Sequence, residues 1–267
     1  MEDVTPSHRE PRNTSDRVAY MAVKVMRTTF DKFTGYIHDD GPEPASGTVK
    51  KTHMNAKQWL RRIIFLESVA GVPGMVGGML RHLRSIRRFE QDRGWIETLL
   101  EEAVNERMHL LTFLAIRQPG IMMRVMIIAA QGIFTNLLFL SYILSPRTVH
   151  RFVGYLEEEA VLTYTKCLKQ IDAGDLPEWS TQSVPPIAQK YWSLPSDASM
   201  RDLILAVRND EAKHREVNHT LANCEADDPC AFSHRLVSDD GRRVIEPQGL
   251  QPQGWERSEV LAKQEKQ

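Results

Sequence analysis

The fold is decided by the stretch Asn105-Glu106-Arg107-Met108-His109, which has a counterpart in Asp210-Glu211-Ala212-Lys213-His214. Each stretch contains a Glu-x-x-His motif. On an α-helix, residues three apart lie on one face about one turn apart, so a carboxylate and an imidazole can reach the same metal ion. One such motif is weak support for a metal site, and the chain contains a third, Glu216-Val217-Asn218-His219. Spacing alone therefore does not separate a metal site from chance.

Length and composition limit the possible domain size, partners and cellular compartment of the protein. The chain has 267 residues, enough for one large domain with an ample core. Its 34 Lys and Arg residues nearly balance its 35 Asp and Glu residues, so nothing global favours nucleic acid as a partner. Three cysteines with no short metal-binding spacing argue against a disulfide framework and favour a reducing compartment. The first residues show no recognisable signal or transit peptide.

The hydrophobic pattern predicts an all-α protein in three parts. Residues 1–16 are polar and are predicted to lack fixed structure, residues 17–223 form a helical domain, and residues 224–267 form a polar tail that wraps loosely or is disordered. Pro73 predicts a kink or short break within one helical segment, and Gly74 is expected to let another backbone approach closely. The first predicted helix begins at Val18. The others cover residues 54–88, 95–117, 125–144, 146–171 and 198–222.

Two of these helices have apolar surfaces suited to a membrane. The helix that begins at Val18 carries apolar residues at helical spacing and basic residues elsewhere, which fits a surface helix packed on a core or a helix lying on a membrane. Residues 125–144 contain no charge and are long enough to span a bilayer. Polar residues such as Gln131 and Asn136 interrupt this stretch. A spanning helix, a half-embedded helix and an oligomer contact therefore remain open.

Two further glutamates complete a ligand set. Glu67 is flanked by apolar residues, and a buried carboxylate needs a cation, a proton or a metal. In the run 157–159, Glu157 shares the apolar face of its helix, whereas Glu158 is predicted to be solvent-exposed. With the two Glu-x-x-His motifs, the chain then offers four carboxylates and two imidazoles, the ligand set of the ferritin-like di-iron four-helix bundle. Four carboxylates would neutralise two ferrous ions in an apolar interior.

The residues before each motif show a matching pattern. Asn105 lies four residues before His109, and Asp210 lies four residues before His214. Metal-bound histidines usually donate their second N–H to a nearby polar group, so each histidine is predicted to have such a partner one turn away. The third motif fails a simple test, because Glu216 lies five residues after the glutamate of the second motif, about 140° around the helix. It is predicted to face away from the site.

These residues resemble the alternative oxidase family of membrane-bound, cyanide-insensitive quinol oxidases. The resemblance covers about residues 16–223 and is carried, in chain order, by Leu66-Glu67-Ser68, Asn105-Glu106-Arg107-Met108-His109, Leu156-Glu157-Glu158-Glu159-Ala160 and Arg208-Asn209-Asp210-Glu211-Ala212-Lys213-His214-Arg215. It implies that two non-haem iron ions are bound by Glu67, Glu106, His109, Glu157, Glu211 and His214. Tyr164 matches a redox-active tyrosine beside the metals.

The same resemblance implies a role for the residues around the metals. A hydrogen-bonded network around the site is matched by Asn105, Asp210, Trp192, Tyr142 and His150. The hydrophobic quinol pocket is matched by Arg62, Leu66, Leu156, Glu159, Ala160 and Thr163. Arg62 and Thr163 are expected to hold the head-group oxygens of the quinol.

The implied architecture is a ferritin-like di-iron four-helix bundle with two additional membrane-associated amphipathic helices. The first and fourth predicted helices would lie in one leaflet, so residues 125–144 form an embedded helix and a homodimer contact instead of a span. The basic run of residues 81–88 would face anionic head groups. The implied partners are ubiquinol, O2 and the matrix side of the mitochondrial inner membrane, with no nucleic acid. The implied reaction produces water without proton pumping.

Three other functions fit parts of the pattern. A di-iron hydroxylase acting on a quinone precursor would share the metal ligands and the association with a membrane. A ferritin-like iron-binding protein would not need Arg62, Thr163 or an embedded apolar helix. A helical bundle on a membrane surface without metal would bury Glu67 and Glu157 with no compensating charge.

Overall fold

Helices account for all regular secondary structure in the part of the chain that the computed structural model describes, residues 4–36, 54–233 and 247–265. This confirms the all-α prediction. The helices are α1 (Thr14–Thr34), α2 (Ala56–Ala70), α3 (Val72–Arg88), α4 (Trp95–Ile116), α5 (Ile121–Leu144), α6 (Pro146–Asp172), α7 (Pro177–Ser180), α8 (Pro186–Tyr191), α9 (Met200–Leu221) and α10 (Arg257–Glu265).

The centre of the molecule is a bundle of α2, α4, α6 and α9, in which α6 and α9 pack together most extensively. Side chains define where these helices begin. Asn55 with Gln58 and Ser199 with Asp202 form capping boxes at the first turns of α2 and α9, which satisfy backbone N–H groups that have no partner within the helix. The bundle therefore rests on helix starts that are encoded locally.

The break between α2 and α3 falls at Gly71, within the interruption predicted from the sequence. Pro73 lies in the first turn of α3, where its missing N–H removes no helical hydrogen bond. Gly74 faces α4 so closely that a Cβ atom there would lie 2.5 Å from the Leu99 carbonyl oxygen. The predicted close approach of another backbone is confirmed, and the other backbone belongs to α4.

Helices α1 and α5 pack on the bundle by one side only. Ala19 and Val23 of α1 pack against Tyr155 of α6. Only Leu138 and Tyr142 of α5 are buried. Its Gln131 donates a hydrogen bond to the Ser68 carbonyl oxygen at 2.7 Å, which gives one of the polar interruptions a partner.

Two segments are long and apolar enough, by length and composition, to cross a membrane. The first is residues 56–88, which includes α2 and α3, and half of its apolar stretch is buried inside the protein. The second is α5, which is mostly exposed: Ile121 and Leu144 at its two ends are 84% and 85% exposed. The apolar surface of α5 is thus not covered by the described residues of this chain.

The N-terminal segment corrects two expectations. Residues 4–13, expected to lack fixed structure, include Arg9, which is 2% exposed and donates its backbone N–H to Glu158 at 2.8 Å. Glu158 itself is 5% exposed, so the prediction of a solvent-exposed side chain is wrong. The physical reason is that the side of α6 facing away from the candidate site is covered by α9 and by this segment, which the periodicity of α6 alone does not reveal.

The C-terminal tail also packs on the bundle where the structure describes it. The backbone N–H of Trp255 donates to the Thr220 hydroxyl at 2.9 Å, and Asn223 donates to the Trp255 carbonyl oxygen at 2.8 Å. Gly254 has a positive φ of 75°, and a Cβ atom there would lie 2.7 Å from the Thr220 nitrogen. Parts of the predicted flexible terminus and tail, residues 1–3, 234–246 and 266–267, lie outside the described residues.

The basic run of residues 81–88 is partly structural. Arg81 is 6% exposed, pairs with Asp92 at 2.6 Å and lies over the ring of Trp95. Arg84 pairs with Asp227 at 2.7 Å. The expectation that this whole run faces lipid head groups is therefore wrong for Arg81, whose charge is neutralised inside the protein.

Candidate metal centre

The structure brings together all six residues proposed as metal ligands. Helix α2 contributes Glu67, α4 contributes Glu106 and His109, α6 contributes Glu157, and α9 contributes Glu211 and His214, and all six are buried. Their donor atoms form two groups, in each of which all atoms lie within 4.8 Å of one another. The groups are Glu67, Glu106, His109 and Glu211, and Glu106, Glu157, Glu211 and His214.

The two groups share Glu106 and Glu211. A carboxylate has two oxygens, so a shared carboxylate can serve one ion with each oxygen. Nδ1 of His109 lies 3.4 Å from oxygens of Glu67, Glu106 and Glu211, and Nδ1 of His214 lies 2.7 Å from Glu106. The arrangement could hold cations in two adjacent positions, and Glu106 and Glu211 would be available to both.

Several buried atoms of this cluster have no hydrogen-bond partner. They are Oε2 of Glu67, both carboxylate oxygens of Glu106, and Nδ1 of His109 and of His214. The short distance between His214 and Glu106 does not change this, because those two groups are not oriented for a hydrogen bond. A buried polar atom without a partner costs about 1–3 kcal/mol. Lone pairs that converge without partners are what bound metal ions would satisfy, so these residues fit a metal site.

The pKa shifts of the clustered glutamates also fit a metal site. Burial raises the pKa of Glu67 to about 8, and burial together with the neighbouring carboxylates raises the pKa of Glu157 well above its ordinary value. Burial alone would raise the pKa of Glu106 as well, but the imidazoles of His109 and His214 offset it and hold that pKa below its usual range. The metal-free cluster therefore depends on protons and imidazolium groups for positive charge. Oxygen and imidazole donors of this kind suit iron, among other transition metals.

One side of the cluster is held by hydrogen bonds to Asp210. Trp192 and Asn105 donate to the same oxygen of Asp210 at 2.7 and 3.0 Å, and that oxygen lies 3.5 Å from Nε2 of His109. The sequence predicted that Asp210 would serve His214, its neighbour on the same helix, and that prediction is wrong. Helices α4 and α9 face each other across the site, so Asp210 reaches the histidine of the opposite helix.

A second chain of hydrogen bonds contains Tyr142 and His150. The Tyr142 hydroxyl lies 3.0 Å from Nε2 of His150, and Nδ1 of His150 lies 3.1 Å from the Asn218 side-chain oxygen. Asn218 in turn donates to Glu102 at 2.7 Å and to the His214 carbonyl oxygen at 3.0 Å. Burial lowers the pKa of His150 to about 4. This chain therefore links a neutral imidazole to the backbone of His214.

Sequence reasoning missed Glu102 and Asn218 in this chain. Glu102 lies four residues before Glu106, and Asn218 lies four residues after His214. Both therefore lie one helical turn from a proposed ligand. The same spacing that singled out Asn105 could have found them.

Tyr164 also lies beside the cluster, because its hydroxyl donates to Oε1 of Glu67. The third Glu-x-x-His motif lies outside both metal groups, as predicted. Glu216 accepts from Arg215 at 3.0 Å, and Nε2 of His219 donates to Glu158 at 2.9 Å.

The polar residues of the proposed quinol pocket meet α1. Arg62 is 3% exposed, pairs with Asp31 at 2.5 Å and donates to the Thr34 hydroxyl at 2.9 Å. Arg27 pairs with Asp31 at 2.9 Å and also with the Glu159 carboxylate. Periodicity could not identify Asp31 as a partner of Arg62, because the two are joined only by tertiary packing.

The remaining pocket residues lie on α2 and α6. Leu66, Leu156 and Ala160 are half-buried, and Leu156 packs against the apolar cluster between α1 and α6. The Thr163 hydroxyl donates to the Glu159 carbonyl oxygen at 2.7 Å, which leaves its lone pairs as acceptors. Nε of Arg62 is buried and has no hydrogen-bond partner.

Fold and site together define a helical-bundle protein with a buried carboxylate–histidine cluster suited to a pair of metal ions. The chain belongs to the alternative oxidase family, whose pattern it matches over residues 1–223. It is similar to proteins named "Alternative oxidase, mitochondrial". The identity is 56% with the protein of Emericella nidulans and 54% with that of Aspergillus niger, each over 266 residues that cover 98% of this chain and 74% of the relative. Family membership assigns the chain to the oxidoreductases.

Proposed function

We propose that the protein is a quinol oxidase that reduces O2 to water at two iron ions and is neither inhibited by cyanide nor coupled to proton pumping. The observation that carries this proposal is the pair of donor groups that share Glu106 and Glu211. Such a pair can hold two metal ions side by side. Bound there, iron would supply the one-electron redox chemistry needed to pass electrons from quinol to O2. Two quinols, each losing two electrons and two protons, balance one O2 and two waters.

The quinol head group is proposed to bind beside Arg62. Nε of Arg62 is a buried donor without a partner, and the ion pair with Asp31 orients the guanidinium. A quinol oxygen that accepts from Nε would satisfy this donor. The half-buried Leu66, Leu156 and Ala160 would contact the apolar part of the ring. Thr163, whose hydroxyl hydrogen is donated to the Glu159 carbonyl oxygen, would accept a second hydrogen bond through a lone pair.

Tyr164 is proposed to hold a proton next to the metal site. Its hydroxyl donates to Glu67, and burial with the nearby Glu67 carboxylate raises its pKa well above the ordinary value. The phenol therefore stays protonated at neutral pH and can give up a proton together with an electron. The packed surroundings of Tyr164, which is 4% exposed, would keep bulk water away from the reaction.

The protein is proposed to lie in one leaflet of the mitochondrial inner membrane, on the matrix side, as a homodimer. The exposed apolar residues of α1 and α5 support membrane contact, and the relatives' names support the mitochondrion. Helix α5 would be embedded and would contribute to the dimer contact instead of spanning the bilayer. With the chemistry on one side and α5 embedded instead of spanning the membrane, no protons would be pumped.

A pair of matched variants tests the proposal. Glu211→Gln removes a carboxylate shared by both metal groups, whereas Glu216→Gln makes the same change in the same helix outside them. Membranes containing the wild type or Glu216→Gln should consume O2 when given quinol in the presence of cyanide, and the purified proteins should contain iron. Glu211→Gln should lose both properties. Cyanide-resistant turnover by Glu211→Gln without iron would overturn the proposal.

A further inference from the structure

A cavity of about 1150 Å³ leads from the surface to the metal cluster between α4 and α9. These two helices make few close contacts with each other, which leaves the space open. His214 lies among the lining residues, together with Asn105 and Asp210. The quinol pocket proposed above lies at α1, α2 and α6, so the cavity is a second approach to the same cluster.

The wall formed by α4 carries three glutamates. Glu97, Glu101 and Asn105 are spaced four residues apart and line the cavity on one helix face. Glu101 is exposed and Glu102 is buried. Glu102 lies one turn before Glu106, a shared member of the metal groups. Carboxylates thus follow one another from the surface toward the metal cluster.

The inner end of the cavity reaches His214, a proposed metal ligand. His214 is 7% exposed, lines the cavity, and has a buried Nδ1 without a hydrogen-bond partner. The lining has two basic residues, Arg93 and Lys213, and Lys213 pairs with Asp210 at 3.0 Å. It has five acidic residues, which are Asp92, Glu97, Glu101, Glu102 and Asp210. The net negative lining and the proposed metal ligand at its inner end together favour a divalent cation moving inward.

The outer wall comes from the C-terminal segment. Pro247, Gln248 and Leu250 line the cavity, and the backbone N–H of Gln248 donates to the Ala231 carbonyl oxygen at 2.6 Å. These residues lie beyond residue 223, where the match to the family ends. The C-terminal segment that lines this entrance therefore lies outside the part of the chain that the family pattern matches.

We propose that the cavity between α4 and α9 is the aqueous route by which divalent metal ions enter and leave the metal cluster, separate from the route of the quinol. The inference rests on the proposed metal site. Glu101 adds to the net negative charge of the entrance and raises the local concentration of cations there, because a cleft speeds the association of ligands of opposite charge. The C-terminal segment limits the rate of exchange by restricting the opening.

The charge of the entrance is tested by loading kinetics. Metal-free full-length protein is mixed with Co²⁺ in a stopped-flow instrument, and uptake is followed by the visible absorption of the bound ion. Glu101→Gln should slow loading several-fold at low salt and much less at high salt. Glu178→Gln, an exposed glutamate that does not line the cavity, should load like the wild type. Equilibrium metal content and the turnover of fully loaded enzyme should be unchanged in both.

Two further measurements test the route itself. Val104 is 56% exposed and lines the cavity, so Val104→Trp should obstruct it and slow both loading and removal of metal by a chelator. A quinol-site inhibitor should leave the loading rate unchanged. Equal loading rates in wild type, Glu101→Gln and Val104→Trp, or loading blocked by the inhibitor, would overturn this inference. Protein that binds no metal in any form would instead overturn the proposed function.

Discussion

Glu158 offers a sharp test of the structure, because the sequence pattern and the fold predict opposite outcomes for its removal. Its carboxylate accepts from Nε2 of His219 at 2.9 Å, from the backbone N–H of Arg9 at 2.8 Å, and lies 2.6 Å from Nδ1 of His8. His219 cannot change tautomer freely, since its Nδ1 accepts from Arg151 at 2.9 Å. Glu158→Ala would thus leave two buried donors without an acceptor.

Each buried donor left without a partner costs about 1–3 kcal/mol, so the variant should lose about 2–6 kcal/mol of stability. An exposed glutamate would cost less than about 0.5 kcal/mol. The thermal midpoint should fall by about 5–20 °C for a protein of this size. The assay is thermal unfolding of purified protein in detergent. Glu10→Ala, an exposed glutamate of the same segment, serves as the control and should match the wild type.

Iron content distinguishes a structural role for Glu158 from a role at the metal site. Glu158→Ala should still bind iron below its melting temperature, because Glu158 belongs to neither donor group. An unchanged thermal midpoint in Glu158→Ala would refute the account of how the N-terminal segment is held.

Three other predictions concern the site and its surroundings. Asp31→Asn should raise the KM for quinol and lower the free energy of unfolding by about 3 kcal/mol, because the buried Arg62 loses a counter-charge. Its iron content should stay the same. Steady-state kinetics and metal analysis check these outcomes. Tyr164→Phe should keep its iron but lower turnover by about 10- to 100-fold, since it loses the hydroxyl next to Glu67. Full turnover of this variant in the same kinetic assay would contradict the prediction. Metal-free protein should become less stable as the pH rises from about 4.5 to about 8, because Glu67 holds a proton in the folded state that it releases in the unfolded state. Melting curves at several pH values measure the slope, and stability that rises with pH would contradict the prediction.

Local spacing was enough to predict the elements that hold the cluster. A Glu-x-x-His motif encodes its own geometry on a helix, and the apolar residues around Glu67 and Glu157 encode their burial. The ends of the helices were also close to the prediction, because Pro73, Pro146 and the caps before α2 and α9 act within a few residues.

Contacts between distant parts of the chain could not be predicted in the same way. Burial of Glu158 depends on Arg9 from the N-terminal segment, and the orientation of Arg62 depends on Asp31 of α1. Asp210 was assigned to the wrong histidine because spacing along one helix says nothing about what faces it across the bundle. These interactions are tertiary, and only the packing of the helices decides them.

The central claim is that the buried cluster holds two iron ions through shared carboxylates. Its most direct test is the iron content of purified protein, measured by elemental analysis on wild type and on Glu106→Ala. The wild type should contain two iron ions per chain, and Glu106→Ala should contain almost none because both donor groups lose a member. A wild type with full quinol oxidase activity and no iron, or Glu106→Ala with two tightly bound iron ions, would contradict the account.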